Sequence, residues 1–443
     1  MRSASIVRDI LAQARALLVG QVAVMLFAVI DTVLTGNASP VDLAALGLGL
    51  SVYATVFVGL MGAITALNPI VAQHFGAGRL AAIGDSYVQA QWLALGVSVI
   101  GMLPLVFSPL WLGWLHAPPE VEALVARYLR VLSLALPGSL LFRAIYVLNT
   151  AVSRPQVVMA MQLAGLLLKG CLSAALIFGA FGLPRLGALG AATASVVVFW
   201  TLFLMGWVTL RRDPFYRRFD IRWRGPHWPV LGELLRLGVP MSLSYALEST
   251  SFTVIALLAA RLGTTVMGGQ QIVGNLAALC FMIPLSLSVA TATLTAQAVG
   301  AGEPTLARRT AVTGMRMGAL AALATVLTVW ILRGRIVSLY TRDPAVAAMA
   351  LTLVPYLVAF HFFDALQTVA TFVLRAYKLA VAPTVIHALS LWGVGVLGGY
   401  VLAFRGIGGP AWGLAGMWCM QSLALALAAA LLVGFYAWRI QRA

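Results

Sequence analysis

The stretch that decides the fold is YLVAFHFFDALQTVATFVLRAYK, residues 356–378, because it is apolar enough to cross a bilayer and carries a carboxylate, Asp364, near its middle. A charged carboxylate at the centre of a membrane helix costs about 2.5–3.5 kcal/mol on insertion scales, so such residues usually mark an ion or substrate path. Helical spacing places Phe360 and His361 one turn before this acid and Gln367 one turn after it. The stretch therefore predicts a membrane helix with one polar face.

The composition of the chain excludes a soluble globular protein. The 443 residues are 61% hydrophobic and 9% charged, with a mean hydropathy of +0.97, whereas soluble domains are about 45–50% apolar and about 25% charged. The apolar runs are continuous rather than alternating, which favours helices over a barrel. The net charge of +16 comes from arginines in short loops between the runs, so we expect no nucleic-acid partner.

The apolar runs predict an all-α integral membrane protein with twelve transmembrane helices. The predicted spans are 15–35, 44–72, 88–110, 124–148, 157–181, 187–210, 236–260, 270–298, 313–335, 350–376, 382–404 and 411–437. A hydrophilic stretch, residues 211–236, falls at the midpoint. We therefore predict an N-terminal lobe over residues 1–212, a cytoplasmic linker over residues 213–235 and a C-terminal lobe over residues 236–443.

The two halves repeat each other. The motif A-Q-x-x-G-A-G follows the second span at residues 72–78 and the eighth span at residues 296–302. The same seven-residue pattern at the same point of each half, 224 residues apart, indicates duplication. Because each half has an even number of spans, the repeats are parallel, and we expect substrate to bind in the cleft between two six-helix lobes. Most of the 29 Lys and Arg fall on the side of the N-terminus, so the positive-inside rule places both termini in the cytoplasm.

Three of the thirteen acidic residues lie inside spans: Asp31, Glu248 and Asp364. Such an acid can be held in a structural pair with Lys or Arg, but no basic residue lies mid-span in the second half to neutralise Glu248 and Asp364. Two uncompensated acids in one lobe predict a cation site that holds a proton or Na⁺. Tyr245, one turn before Glu248, and Gln367 are candidates to supply further oxygens.

In the first half, Asp31 has a candidate counter-charge in Lys169, inside the fifth span, and a second in Arg143, inside the fourth. If Lys169 pairs with the acid, its amine occupies the place that a transported cation would take. His361 is either a proton relay or a hydrogen-bonded core residue.

Enzyme signatures are absent from the sequence. It has no Walker A loop, no HExxH, no GxSxG and no His/Cys cluster with metal-ligand spacing. We therefore expect no enzymatic activity, and no cofactor beyond Na⁺ or H⁺ as a coupling ion. Without a nucleotide-binding domain, transport requires a channel, a secondary transporter or a partner protein.

Several motifs taken in order resemble the multidrug and toxic compound extrusion (MATE) family, in its NorM-like branch. They are the run VAVMLFAVIDTVLTG at residues 22–36, the two A-Q-x-x-G-A-G loops, and the stretches at residues 240–248 and 364–378. The resemblance implies the fold of the MOP superfamily, with two pseudo-symmetric six-helix lobes. It also implies an antiporter of the bacterial inner membrane, which exports cationic amphipathic compounds in exchange for Na⁺ or H⁺ by alternating access. We expect a monomer in contact with membrane lipids.

The resemblance also assigns roles to residues. In the NorM-like branch, acids in the first, seventh and tenth spans couple the ion to transport, and these carry over to Asp31, Glu248 and Asp364. Asn149 and Thr193 remain possible members of the first-lobe network.

Two departures from the family pattern limit this transfer. Lys169 and Ser173 stand where relatives often have Asn, which puts a Na⁺ site in the first lobe in doubt. Phe360 stands where relatives often have Tyr, so that it offers a cation–π contact without a hydroxyl.

An alternative from the same superfamily is a flippase for lipid-linked oligosaccharides. Such proteins usually have more basic residues facing the cleft, to hold pyrophosphate. In this sequence only Arg143 and Lys169 qualify, both in the first lobe.

Overall fold

The computed structural model describes residues 3–113, 118–182, 184–406 and 409–440, and these residues form helices joined by short loops, with no strand among them. The helices are α1 (Ser3–Gly36), α2 (Pro40–Thr65), α3 (Leu67–Gly76), α4 (Leu80–Val106), α5 (Pro109–Leu112), α6 (Pro119–Ser133), α7 (Ala135–Ala151), α8 (Pro155–Phe178), α9 (Ala188–Arg212), α10 (Pro214–Arg217), α11 (Trp228–Ala260), α12 (Thr264–Gly300), α13 (Pro304–Tyr340), α14 (Pro344–Ala376), α15 (Val381–His387), α16 (Gly399–Phe404) and α17 (Gly413–Ile440). A π-helical segment, Ala388–Gly398, connects α15 to α16.

The twelve predicted spans are confirmed within the described residues. Eleven helical stretches are long and apolar enough to cross a bilayer, where α2 with α3 counts as one stretch and α15 through α16 as another. The pair α6 and α7, bent by 41°, makes the twelfth. The chain is therefore an all-α integral membrane protein.

The bend in the fourth span follows from Pro137. A proline inside a helix has no N–H to donate, and its ring clashes with the carbonyl four residues earlier, which here belongs to Ser133. The helix α6 ends at that residue, and α7 begins two residues later.

The chain divides by internal contacts into two compact units. The N-terminal unit is Arg15–Ser242, and the C-terminal unit is Leu243–Ala443 together with Met1–Ala14. Both boundaries fall inside helices, α1 and α11, rather than in loops.

The repeated A-Q-x-x-G-A-G motif forms the same helix end in both units. Gly78 and Gly302 both lie in the left-handed region, with φ of 68° and 72°, where glycine has no steric cost. The next residue closes the turn in each case: Arg79 N donates to His74 O at 2.9 Å, and the N–H of Glu303 makes the equivalent bond at 3.0 Å. The sequence repeat therefore corresponds to a repeat in local structure.

The connecting segment, residues 213–227, packs on the N-terminal unit. Gln89 on α4 holds it with both ends of its amide: Nε2 donates to Gly225 O (3.1 Å), and Oε1 accepts from His227 N (2.8 Å). Trp92 Nε1 also donates to the carbonyl oxygen of Arg224 at 2.8 Å. The remainder of the predicted linker, residues 228–235, is the first part of α11.

Candidate functional site

Asp31 and Lys169 form a buried salt bridge in the N-terminal unit. Lys169 Nζ lies 2.7 Å from Asp31 Oδ2, and it also donates to Ser195 Oγ (2.7 Å) and to Ala191 O (3.0 Å). The other carboxylate oxygen of Asp31 accepts from Ser173 Oγ at 2.8 Å. The lysine is 1% exposed. Each of the three N–H donors of the ammonium therefore has an acceptor.

This arrangement joins three helices around one neutral ion pair. The acid comes from α1 and the lysine from α8, while α9 supplies the serine hydroxyl and the backbone carbonyl. Burying two charges is unfavourable unless they are paired and their remaining hydrogen-bonding groups are satisfied. Both conditions are met here, so the ammonium fills the place beside Asp31 that a bound cation would take.

Two other residues predicted to belong to the first-lobe network, Asn149 and Thr193, make their hydrogen bonds away from Asp31 and Lys169. Asn149 Oδ1 accepts from the Tyr216 hydroxyl at 2.6 Å, and its amide nitrogen donates to Ile145 O at 2.8 Å. The Thr193 hydroxyl donates to the backbone carbonyl of Leu189, one turn earlier on α9 (2.8 Å). The structure thus places Asn149 against the connecting segment and turns Thr193 onto its own helix.

In the C-terminal unit, the structure brings Glu248, Asp364 and Gln367 together. Gln367 Nε2 donates to Asp364 Oδ1 (3.0 Å) and to Thr368 Oγ1 (3.1 Å). The Glu248 carboxylate, carried by α11, lies close enough to Asp364 and to the Gln367 amide to interact with both. The polar face predicted from helical spacing is therefore present on α14, and it lies beside Glu248, the acid of the seventh span.

The expectation that no base neutralises this acid pair is wrong for Glu248. Arg375, only 4% exposed, interacts electrostatically with the Glu248 carboxylate. Its Nη2 donates to Ser244 Oγ at 3.2 Å, and its guanidinium stacks over the rings of Tyr245 (4.7 Å) and Phe372 (5.1 Å). The predicted span 350–376 placed Arg375 at its very end, away from the acids, but helical side chains point back toward the N-terminus of α14.

Sequence reasoning also missed His387, at the end of α15. Its Nδ1 lies 2.6 Å from Ser244 Oγ, and its Nε2 lies 2.9 Å from Gln367 Oε1. Thr371 Oγ1 lies 3.4 Å from the same Nε2. The sequence contains a signal for the residues on α14 only: Asp364, Gln367, Thr371 and Arg375 recur at helical spacing and form one polar stripe. Ser244 and His387 lie on other helices and have no such signal.

Phe360 and His361 lie one turn before Asp364 in different surroundings. Phe360 packs edge-to-face between Phe252 and Trp418, with ring centroids 5.5 Å and 5.2 Å away, inside an apolar cluster. His361 is buried, and neither of its ring nitrogens has a hydrogen-bond partner among the described residues. The cation–π role of Phe360 and the relay role of His361 stay predictions.

Comparison with known proteins places this arrangement in a family. The MatE family model matches residues 16–174 and 240–401, and these segments contain Asp31, Glu248 and Asp364. The chain belongs to the MatE family. It is 40% identical over 421 residues to the probable multidrug resistance protein NorM of Aromatoleum aromaticum, covering 94% of this chain and 90% of that one.

Further relatives of this MatE protein extend the likeness. The multidrug resistance protein PmpM of Pseudomonas aeruginosa is 33% identical over 431 residues, covering 96% of this chain and 89% of PmpM. The crystal structure of the eukaryotic MATE transporter AtDTX14 superposes with a TM-score of 0.90 at 20% identity, covering 98% of this chain and 96% of that one. That superposition confirms the all-α fold with its twelve membrane spans.

Proposed function

We propose that this MatE protein is a multidrug efflux transporter, an antiporter that exports cationic amphipathic compounds in exchange for Na⁺ or H⁺. The printed names of its relatives, NorM and PmpM, are those of multidrug resistance proteins, and each alignment covers about nine-tenths of both chains or more. Membership of the family supports a mechanism of alternating access. Its two lobes would be residues 1–212 and residues 236–443, joined by residues 213–235.

The observation that carries this proposal is a difference in charge between the two acid sites. Asp31 and Lys169 sum to zero. Arg375 interacts electrostatically with Glu248, so that with both acids ionised the charges of Glu248, Asp364 and Arg375 sum to −1. A buried uncompensated charge is strongly disfavoured. The C-terminal site therefore requires one monovalent cation and the N-terminal site requires none.

A site that needs one cation can couple ion entry to drug export. When Na⁺ or H⁺ occupies the site at Glu248 and Asp364, it removes the negative charge that attracts a cationic substrate, so we propose that the ion lowers substrate affinity. The inward ion gradient then drives release of the drug on the outer side. The resemblance also gives Asp31 a coupling role, which stays a prediction; the charge of Asp31 is offset by Lys169.

Purified protein in liposomes tests the proposal, with tetraphenylphosphonium as the amphipathic cation and a Na⁺ or an H⁺ gradient applied alone. We expect one gradient to drive uptake by the wild type, and the Glu248→Gln and Asp364→Asn variants to lose at least about 90% of the driven rate, since each leaves a neutral site. Ser390→Ala is the matched control, since it removes a buried hydroxyl elsewhere in the same unit. Wild-type rates from both acid variants would contradict the proposal.

The arrangement does not favour a flippase for lipid-linked oligosaccharides. Of the two basic residues that could hold pyrophosphate, Lys169 is paired with Asp31. Arg143 stacks over the ring of Tyr146 at 4.6 Å. A pyrophosphate group carries several negative charges, more than Arg143, the one remaining base of the two, would balance.

We also propose the setting in which the protein works. The bacterial sources of its relatives support a protein of the bacterial inner membrane, and the positive-inside rule supports both termini and the connecting segment in the cytoplasm. We propose that it acts as a monomer in contact with lipid, without enzymatic activity or a bound cofactor, and with no nucleic-acid partner.

A further inference from the structure

Five buried polar side chains form a continuous network from Arg375 to Asp364, defined here as the Arg375–Asp364 network. The successive separations are 3.2 Å from Arg375 Nη2 to Ser244 Oγ, 2.6 Å to His387 Nδ1, 2.9 Å from His387 Nε2 to Gln367 Oε1, and 3.0 Å from Gln367 Nε2 to Asp364 Oδ1. The network connects α11, α14 and α15 within the C-terminal unit.

In the ion-free site, with Asp364 ionised, the two ends of the network fix the direction of every hydrogen bond in it. A guanidinium can only donate, and an ionised carboxylate can only accept. Gln367 must therefore turn its amide nitrogen to Asp364, which leaves its oxygen facing His387. The imidazole must then donate from Nε2 and accept at Nδ1 from Ser244, whose oxygen in turn accepts from Arg375. The five groups thus specify one tautomer of the histidine, the neutral Nε2–H form.

The other protonation states of His387 do not fit these neighbours. The Nδ1–H tautomer would put the lone pair of Nε2 against the lone pairs of Gln367 Oε1, which is electrostatically unfavourable. A doubly protonated imidazole would place a second buried cation one hydroxyl away from the Arg375 guanidinium. Thr371, the remaining polar group on the ring, has a hydroxyl that accommodates either form.

We propose that His387 is a positioning residue for ion coupling: as the Nε2–H tautomer, it holds the Gln367 amide with its N–H aimed at the Asp364 carboxylate. A hydrogen bond to the ionised form of an acid stabilises that form. The network therefore stabilises the ion-free site and makes the coupling ion easier to release. This consequence for transport rests on the proposed function, whereas the tautomer of His387 does not.

Replacement of His387 should change ion affinity in a particular direction. In His387→Leu the Gln367 amide loses its restraint, so the ion-free carboxylate is less stable and holds the ion more tightly. We expect the half-saturating concentration of the coupling ion to fall about fivefold, the effect of roughly one buried hydrogen bond, together with a slower maximal rate. His387→Gln has both a donor and an acceptor, so it should restore both values to within about twofold.

Two measurements test the inference. Nitrogen-15 NMR of histidine-labelled protein in nanodiscs, with the His387→Gln spectrum assigning the signal, should show a neutral imidazole protonated at Nε2. Tetraphenylphosphonium transport at varied ion concentration should show the paired fall in half-saturation and maximal rate in His387→Leu, with Ser390→Ala, three residues away, as the control. A folded protein whose His387 is protonated at Nδ1, or at both nitrogens, would overturn the network regardless of transport. The positioning role would be overturned if a folded His387→Leu variant had the wild-type half-saturating ion concentration. It would also be overturned if His387→Gln behaved like His387→Leu.

Discussion

At the scale of single residues, Lys169 acts as an internal cation for Asp31. Its ammonium has three acceptors, and the pair is almost wholly buried. Removing one partner of a buried ion pair leaves an uncompensated charge and typically costs about 3–5 kcal/mol. The importance of this lysine therefore lies in the charge that it balances.

We predict that Lys169→Met lowers the thermal stability of the purified protein strongly, and that adding Asp31→Asn in the same chain restores most of the loss, because the double variant buries no charge. Melting temperatures from tryptophan fluorescence in detergent measure both effects. Equal losses from the single and the double variant would show that packing, rather than charge, explains the effect.

The sequence predicted the residues of this pair but not all of those in the second site. Hydropathy and charge locate an acid and an amine inside spans, and both were recognised as candidates to pair. His387 and Ser244 lie 143 residues apart, and no local pattern predicts that they touch. Arg375 lies in the last turn of the predicted span 350–376, and no local pattern shows that its side chain reaches back to interact with Glu248.

At the scale of elements, the connecting segment is fixed by a capped turn. Asp213 Oδ1 accepts from the N–H of Phe215 at 2.9 Å, and Asp213 Oδ2 lies 2.7 Å from Arg154 Nη1. The hydrogen bond from the Phe215 N–H holds the pKa of Asp213 below its ordinary value, and the Arg154 guanidinium adds a smaller effect in the same direction. A carboxyl whose folded pKa is depressed contributes stability above its unfolded pKa of about 3.9 and loses it as the pH falls through the folded value.

We predict that Asp213→Asn lowers the melting temperature slightly at pH 7, and that the difference from the wild type disappears as the pH falls well below about 4, where both side chains are uncharged. Asp220→Asn is the matched control in the same segment, since its ion pairs with Arg222 and Arg224 are exposed and contribute little. A difference that stays constant from pH 7 to pH 3 would contradict the account.

The sequence predicts the number and order of the membrane spans, but it does not predict which side chains connect one element to another. Continuous apolar runs fix the number of spans, and the two A-Q-x-x-G-A-G motifs fix the equivalence of the halves, because a left-handed glycine ends the helix in the same way at each. The attachment of residues 213–227 to α4 depends on side chains such as Gln89 and Trp92. Their partners are backbone groups, which have no sequence signature.

At the scale of the whole molecule, the account depends on a count of buried charges. The N-terminal pair sums to zero through Lys169, and the C-terminal site has a net charge of −1 when both of its acids are ionised, because Arg375 offsets one of them. Each unit thus has its own internal cation, although neither base lies at the equivalent place in the repeat. The number of exchangeable cations follows from this count rather than from the number of acids.

The most direct test is the number of cations bound per protein, measured on purified protein as ²²Na⁺ retained or as protons released on titration. The account predicts one for the wild type, none for Asp364→Asn, and two for Lys169→Met, in which Asp31 is left without its internal cation. Two cations bound by the wild type, or a Lys169→Met variant that binds the same number as the wild type, would contradict it.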